Sequence, residues 1–286
     1  MIPAFAKGVL SMGRPDFIEL LKDQGLEIFS IPQGSDNFAY ILRVPGSDRV
    51  ALVDAMEAKS IRKFLETRAW ALEVIFNTHH HYDHVGANKF FLENSDDLKV
   101  FGSTYDQSNN RIPGQTRVLK HLEKFKWQNL SITTLEIPGH TLGHIGYFVD
   151  IGNGHFFCGD TVFLGGCGRL FEGSPAQMDN SINNVIRSLG DDVSLYPAHE
   201  YSLANLEFAK LLYEEPQLSE YITRLREQLK NKGTTLPTTI AQEIRFNPFF
   251  RIRDQVYLEN LHSRGVIQDL NSVNAFGQVR ALKDKF

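Results

Sequence analysis

"NTHHHYDHVG", residues 77–86, sets four histidines and an aspartate within six consecutive positions. It follows "EVIF" (73–76), an apolar run that reads as a buried strand, so the polar cluster sits where a strand ends. On extended backbone the side chains alternate: His79 and His81 face one way and His80 the other. Two imidazoles on one side, two residues apart, can share a metal ion. Asp83 and His84 follow in the turn and can reach an adjacent position. This set of nitrogen and oxygen donors suits zinc, iron or manganese and needs no sulfur. A surface loop that is histidine-rich by accident explains the stretch poorly, because every position would have to match by chance.

Further metal-type residues lie downstream, each at the end of a strand-like run. "IPGHTLGH" supplies His140, "FFCGDT" supplies Asp160 and "LYPAHEY" supplies His199. Taken singly, each has a plain reading: a satisfied turn histidine, a helix cap, a surface residue. Together with the cluster they describe a site built along one edge of a sheet. Asp54, which ends "ALVD", and His144 lie in similar settings, and either could simply satisfy backbone groups.

The chain has 286 residues, is 42% hydrophobic and 22% charged, and carries a net charge of -4 with pI about 6.2. Such a balance fits a globular protein and gives no basic surface for nucleic acid. Two cysteines, Cys158 and Cys167, make no disulfide framework, which points to a reducing, cytoplasmic setting. No apolar run reaches the roughly 20 residues of a membrane span. The opening "MIPAFAKGVLSMG" lacks the features of a secretory signal.

Strands are expected at 26–31, 37–44, 49–54, 73–78, 98–102, 131–137, 144–151, 155–160 and 193–199. Helices are expected at "RPDFIELLKDQG" (14–25), 57–69, 86–94 and 179–189. After residue 200 the spacing turns helical, with "LANLEFAKLLYEE" ending at Pro216 and "LSEYITRLREQLKNKG" ending in glycine. "TTIAQEIRF" opens with Thr239 and Gln242 at capping-box spacing, and helical stretches follow near 254–264 and 274–284. The reading is an α/β (α+β) chain: an N-terminal extension (1–25), a mixed domain (26–199) and a helical domain (200–286).

"THHHYDH" resembles the THxHxDH signature of the metallo-β-lactamase superfamily, and the order of cluster, "PGHT", "GD" and final histidine is similar too. The resemblance implies an αββα sandwich with two divalent metal ions between its sheets, zinc foremost, with iron or manganese as alternatives. It implies that His79, His81 and His140 hold one ion, that Asp83, His84 and His199 hold the other, and that Asp160 bridges both. Asp54 would support the ligands from behind, and His80 matches the variable position.

The superfamily includes lactamases, lactonases, nucleases, sulfur dioxygenases and thioesterases, and fold alone does not choose among them. Three stretches do. "GDTVFLGGCGRLFEGSPAQM" (159–178), "HEYSLANLEFA" (199–209) and the pair "NPFFR" and "VRALKDKF" near the end resemble glyoxalase II, hydroxyacylglutathione hydrolase. The likeness runs from about residue 26 to the last residue. It implies hydrolysis of S-D-lactoylglutathione to D-lactate and glutathione by a monomer, with Asp83 orienting the attacking water and Asp160 bridging the ions. The substrate carries two carboxylates, which cations and hydrogen-bond donors must meet. By motif position these are Arg169, Arg280 and Lys283 with Tyr201 and Asn205, and Phe171 lies in the same segment. Arg169 stands where many relatives have Lys, and Phe171 where many have Tyr. For Arg280 and Lys283 the plain alternative is a solvated helix face. Two rival functions stand beside this one: a persulfide dioxygenase of the same fold with one iron, and a metal-stabilised binding protein without turnover.

Overall fold

The computed structural model describes residues 15–23 and 25–286. The opening segment "MIPAFAKGVLSMG" lies outside the described residues. Two β-sheets pack face to face. Among the described residues the first has seven strands in simple order: β1 (Ile18–Lys22), β2 (Glu27–Gln33), β3 (Asn37–Arg43), β4 (Arg49–Val53), β5 (Ala71–Phe76), β6 (Lys99–Ser103) and β7 (Arg117–Leu119). β1 to β4 pair antiparallel, and β4 to β7 pair parallel. The second sheet contains β8 (Lys124–Trp127), β9 (Leu130–Glu136), β10 (Ile145–Val149), β11 (His155–Gly159), β14 (Ser194–Pro197) and β15 (Thr238–Thr239), in the order β15-β14-β11-β10-β9-β8. A small hairpin, β12 (Val162–Phe163) and β13 (Gly166–Cys167), stands apart.

The central strands read as continuous apolar runs because both of their faces are covered. In β3, Phe38, Tyr40 and Leu42 face the other sheet, while Ala39 and Ile41 face the outer helices. In β11, Phe157 turns inward, and Phe156 and Cys158 turn outward. The layer between the sheets is aromatic: Phe76 and Tyr147 lie 5.1 Å apart, Tyr40 and Phe157 5.5 Å, and Phe157 and Tyr196 4.8 Å between ring centroids. Truncating one of these rings to alanine costs about 3–5 kcal/mol. Helices Ala58–Glu66 and Asn88–Glu93 cover the first sheet through Ile61, Phe64, Leu65 and Phe91. The second sheet is covered by Met178, Ile182, Phe249, Phe250, Leu258 and Phe276. The result is the helix–sheet–sheet–helix sandwich implied by the resemblance.

One expected helix is absent. Residues 18–22 form β1, which pairs antiparallel with β2, so the first sheet begins before residue 26. Ile18 is buried while Glu19 and Lys22 are exposed, and Phe17 packs on Phe29 and Phe64. The open edge of β2 offers backbone partners to a short segment, and that pairing overrides a weak helical pattern. Near 179–189 the helix forms, but it begins at Pro175 and passes through a π turn at Ser181–Ile186 into a 3₁₀ turn at Arg187–Leu189.

The helices after residue 200 are stitched to the sandwich. Thr239 caps helix Ile240–Phe246, its side chain accepting from the Gln242 N–H, and β15 just before it pairs with β14. Glu243 in that helix is buried. Its carboxylate accepts from the Gly165 N–H at 2.8 Å, the Thr238 hydroxyl at 2.7 Å and the Asn247 amide at 2.8 Å. Burial pushes this carboxyl up to about 7 despite those donors. An unfolded Glu ionises near 4.3. Between the two values the native state keeps a proton that the unfolded state has lost, so raising the pH from 5 to 8 removes stability. Glu243→Gln keeps an acceptor for Gly165 and ends this titration. It should therefore gain stability relative to the parent as pH rises, by on the order of 3 kcal/mol at most. Urea midpoints at pH 5 and pH 8 read the effect, and a difference that does not change with pH contradicts it.

Candidate metal centre

Strand ends from both sheets deliver the candidate ligands to one cleft. β5 runs into Thr78–His81, and the short helix Tyr82–Val85 carries Asp83 and His84. His140 stands in the turn between β9 and β10, Asp160 follows β11, and His199 follows β14. Gly159, just before Asp160, has φ +49°, and a Cβ there would lie 2.6 Å from Thr78 Oγ1 and 2.8 Å from His144. Only glycine allows Asp160 to enter the cleft so close to the neighbouring strand end.

Three ring nitrogens meet in the cleft. His79 Nε2 and His140 Nε2 each lie 3.0 Å from His81 Nδ1. A nitrogen–nitrogen edge of a metal tetrahedron with bonds of 2.0–2.1 Å is about 3.3 Å, so the spacing fits one shared ion. In a second group, His199 Nε2 lies 3.3 Å from Asp83 Oδ2 and 3.4 Å from Asp160 Oδ2. His84 Nε2 lies 3.4 Å from Asp160 Oδ1 and 3.6 Å from Asp83 Oδ2. Asp160 Oδ2 is also 3.4 Å from His140 Nε2, which puts one carboxylate between both groups. His79, His81 and His140, and separately Asp83, His84 and His199, bring their donor atoms within 4.8 Å of one another. His84 Nε2 and Asp160 Oδ1 are buried without a hydrogen-bond partner among the described residues. Orphan polar atoms are costly in a protein interior, and a cation satisfies both at once.

The opposite edges of the rings are held. His140 Nδ1 donates to the Arg169 carbonyl at 2.8 Å, His84 Nδ1 pairs with Asp54 Oδ2 at 2.8 Å, and His199 Nδ1 pairs with Asp36 Oδ1 at 2.7 Å. Each bond fixes a tautomer whose free Nε2 lone pair faces the cleft. Asp54 itself has φ 52°, a left-handed backbone outside glycine. It also accepts from the Thr78 N–H at 2.8 Å and the Thr78 hydroxyl at 2.7 Å, and these bonds hold the strained conformation.

Charge follows the same plan. Burial, helped by His84 and His144, holds His79 well below the ordinary histidine range, so its ring is neutral and available as a donor. Burial would raise the Asp160 carboxyl, but His199 and His84 hold it well below the ordinary carboxylate range. His199 goes the other way: against burial, Asp160, Asp36 and Asp83 raise it well above the ordinary value, so its Nε2 lone pair becomes free only when an ion there displaces a proton.

His80 points away from this group, 3.3 Å from Asp106, as strand alternation requires. His144 does more than fill space. Its Nε2 accepts the Asp160 N–H at 3.1 Å, and its ring stacks on His79 at 4.6 Å. Asp36, in the turn between β2 and β3, and Asn37, the first residue of β3, were not foreseen. Asn37 Nδ2 donates to Asp83 Oδ2 at 2.9 Å. Polar residues between two buried strands were the available signal, but nothing local names their distant partners.

The residues implied for substrate contact fall around the same mouth with different degrees of freedom. Phe171 is 63% exposed, and its ring edges lie over His81 at 5.5 Å and His140 at 5.2 Å. Arg169 is exposed, 3.6 Å from Asp284. Tyr201 stacks on His199 at 4.8 Å. Asn205 is buried and spends one amide proton on the Leu164 carbonyl at 3.1 Å. Arg280 is not on a solvated face: it is buried, donating to the Cys167 carbonyl at 2.8 Å and to Asp284 at 3.1 Å. Lys283 is half-buried beside the Ala204 carbonyl at 3.2 Å, and burial, with Arg280 nearby, lowers it to about 8.

Comparison with known proteins identifies the family. Residues 33–202 match the metallo-beta-lactamase superfamily, and residues 200–286 match the family described as hydroxyacylglutathione hydrolase C-terminus. The hydroxyacylglutathione hydrolase of Synechocystis sp. is 39% identical over 268 residues, 91% of this chain and 100% of the relative. That of Dictyostelium discoideum is 36% identical over 268 residues, 88% of this chain and 96% of the relative. Among solved structures, ETHE1 from Myxococcus xanthus aligns with a TM-score of 0.58 at 21% identity, over 93% of this chain and 97% of that one. TTHA1623 in a di-iron-bound form aligns with a TM-score of 0.54 at 23% identity, over 74% and 94%. Those two share the fold.

Asp160→Ala removes the carboxylate common to both groups and should lower the uptake of both ions. Asp36→Ala removes the partner of His199 Nδ1 and, of the candidate ligands, touches that one alone, so it should weaken one ion by about 10–100-fold and spare the other. Metal content after dialysis against graded chelator reads both, and equal loss in the two variants contradicts the arrangement.

Proposed function

The chain belongs to the hydroxyacylglutathione hydrolase family of the metallo-β-lactamase superfamily, and from that membership we propose that it hydrolyses S-D-lactoylglutathione and similar 2-hydroxyacyl thioesters to the hydroxy acid and glutathione. The observation that carries this reading is a nitrogen and oxygen donor cluster bordered by the segment 169–173 through His140 and Phe171, a segment whose Arg169 pairs with Asp284 of the C-terminal helix Ser272–Lys285. In this reading residues 26–199 hold the metals and residues 200–286 help to bind substrate.

His79, His81 and His140 would hold one divalent ion, Asp83, His84 and His199 the other, and Asp160 would join both. The donor types support zinc, with iron or manganese as alternatives. Ions held there supply Lewis acidity and a water ionised near pH 7. Asp83 is partly open to the cleft, with one oxygen already occupied by Asn37. It is suited to accept a hydrogen bond from the attacking water and aim it. Asp160 stays ionised through its histidine neighbours and takes no proton from the reaction. The leaving group is a thiolate with a solution pKa near 8.5, by analogy with cysteine, so no protein group has to protonate it. The Phe171 ring over His81 and His140 shields the cleft from bulk water on that side. Lys283 and Arg169 would meet the substrate carboxylates. Arg280, occupied with Cys167, instead holds the segment that presents them. The second donor group, Asp83, His84 and His199, favours this reading over a one-iron dioxygenase.

We further propose a cytoplasmic monomer that contacts neither nucleic acid nor membrane. The two free, buried cysteines and the net charge of -4 support this. Among the described residues no helix is long and apolar enough to cross a membrane.

Ultraviolet loss of the S-D-lactoylglutathione thioester with matching thiol release tests the assignment, and no turnover by metal-replete protein refutes it. Lys283 gives a finer test. A charge-assisted contact contributes about 1.5–3 kcal/mol, so Lys283→Ala should raise KM about tenfold or more with kcat little changed. The binding form is the ammonium, which is present below its pKa of about 8 and lost above it. In the parent, KM should therefore climb as pH passes 8, and in Lys283→Ala it should stay flat. Parallel profiles contradict a substrate role for Lys283.

A further inference from the structure

One charged group beside the cluster has no part in the reaction outlined above. Asp106 is 0% exposed, and neither of its carboxylate oxygens has a hydrogen-bond partner among the described residues. It lies 3.3 Å from His80 Nδ1 and 4.0 Å from Arg111 Nη1. Arg111 Nη1 reaches both oxygens of Glu172, at 2.7 and 3.0 Å. Glu172 Oε2 also accepts the Leu142 N–H at 2.9 Å, and Oε1 lies 3.7 Å from His80 Nε2. Buried ion networks are weak evidence for stability, because desolvation offsets much of the attraction. Asp106 is fully buried while Arg111 and Glu172 are partly exposed, and the network is better explained by what it positions.

The segment it holds runs along the turn that carries His140. The Phe171 N–H donates to the His140 carbonyl at 3.2 Å, and the Gly173 N–H donates to the Gly139 carbonyl at 3.1 Å. In return, His140 Nδ1 donates to the Arg169 carbonyl at 2.8 Å, which leaves the His140 Nε2 lone pair facing His81 and Asp160. Glu172 crosses between the two pieces of chain: its backbone belongs to one and its carboxylate grips the other at Leu142. Asp106 backs the same turn from behind. A Cβ on Gly143 would lie 2.5 Å from Asp106 Oδ1, so turn and carboxylate are in direct contact.

We propose that Glu172, tethered by Arg111, is a positioning residue: it clamps the segment 169–173 onto the turn 139–143 and so aims His140 at the ion shared with His79 and His81. The inference rests on the reading that the cleft holds two ions. It ties the part of the chain that presents Arg169 and Phe171 to one half of the metal centre. The half built from Asp83, His84 and His199 has its own supports in Asp54, Asp36 and Asn37.

The test is the affinity for each ion, measured by chelator competition and by cobalt absorption on metal-stripped full-length protein, for the parent, Glu172→Ala and Glu172→Gln. Glu172→Ala should weaken one ion by about 10–100-fold and leave the other unchanged. Glu172→Gln keeps an acceptor for the Leu142 N–H and should recover most of that loss. If Glu172→Ala does not fold, Arg111→Met, which keeps the stem and removes the tether, should show the same selective weakening to a smaller degree. Unchanged affinities in a folded variant overturn the inference. So does equal weakening of both ions alongside a lower Tm, which would mark general loosening. A parent that takes up fewer than two ions overturns the two-ion reading as well, whereas two ions in the parent with indifferent variants overturn this inference alone.

Discussion

Three imidazole nitrogens, His79 Nε2, His81 Nδ1 and His140 Nε2, are pressed into one small volume, with neighbouring separations of 3.0 Å. A single proton on His81 Nδ1 can serve one of these two contacts well but not both, and burial keeps His79 from supplying a proton of its own. The arrangement becomes favourable when a cation sits among them. Much else in the cleft reads as a consequence. The outer edges of His79, His84, His140 and His199 are each tied to a hydroxyl, a carboxylate or a carbonyl, so that none of these rings can turn away. Asp160 is threaded past a glycine that no other residue could replace without a clash. Asp54 holds a left-handed backbone conformation and is compensated by its own hydrogen bonds to Thr78 and His84.

The two sheets make this crowding affordable. Loops at strand ends are ordinarily the loosest part of a domain. Here they leave a rigid aromatic layer in which Tyr147 donates to the Asn77 carbonyl at 2.8 Å and Tyr40 donates to the Pro197 carbonyl. Those bonds pin Asn77, just past β5, and Pro197, the last residue of β14, shortly before His79 and His199. The helices after residue 200 then close over the small hairpin β12–β13 through Glu243, Asn247 and Arg280, each bonded to its backbone or to the turn within it. The segment 169–173 is therefore held from two directions, by the C-terminal helices and by the His140 turn.

The donor cluster is legible in the sequence because metal chemistry restricts both residue type and spacing. Strand alternation alone separates His80 from His79 and His81, and the remaining candidates each follow a strand-like run. The supporting residues are not legible in that way. Asp36 meets His199 across 163 residues and Arg111 meets Glu172 across 61, so neither partner can be inferred from local pattern. Residues 18–22 mislead for a different reason: five residues with one buried position fit a helix turn as well as an edge strand, and only the open edge of β2 decides. β15 is two residues long and becomes a strand only because β14 lies beside it. The burial of Arg280 is likewise a tertiary fact, since terminal cations at helical spacing ordinarily face water.

The central claim is that one cleft holds two ions and that both are needed to cleave a glutathione thioester. The direct measurement is a titration of metal-stripped protein with zinc, following S-D-lactoylglutathione hydrolysis and bound metal at each addition. The account predicts that uptake saturates at two ions per chain and that activity reaches its plateau only as the second is bound. Full activity at one ion, or two bound ions with no thioester cleavage, would contradict it.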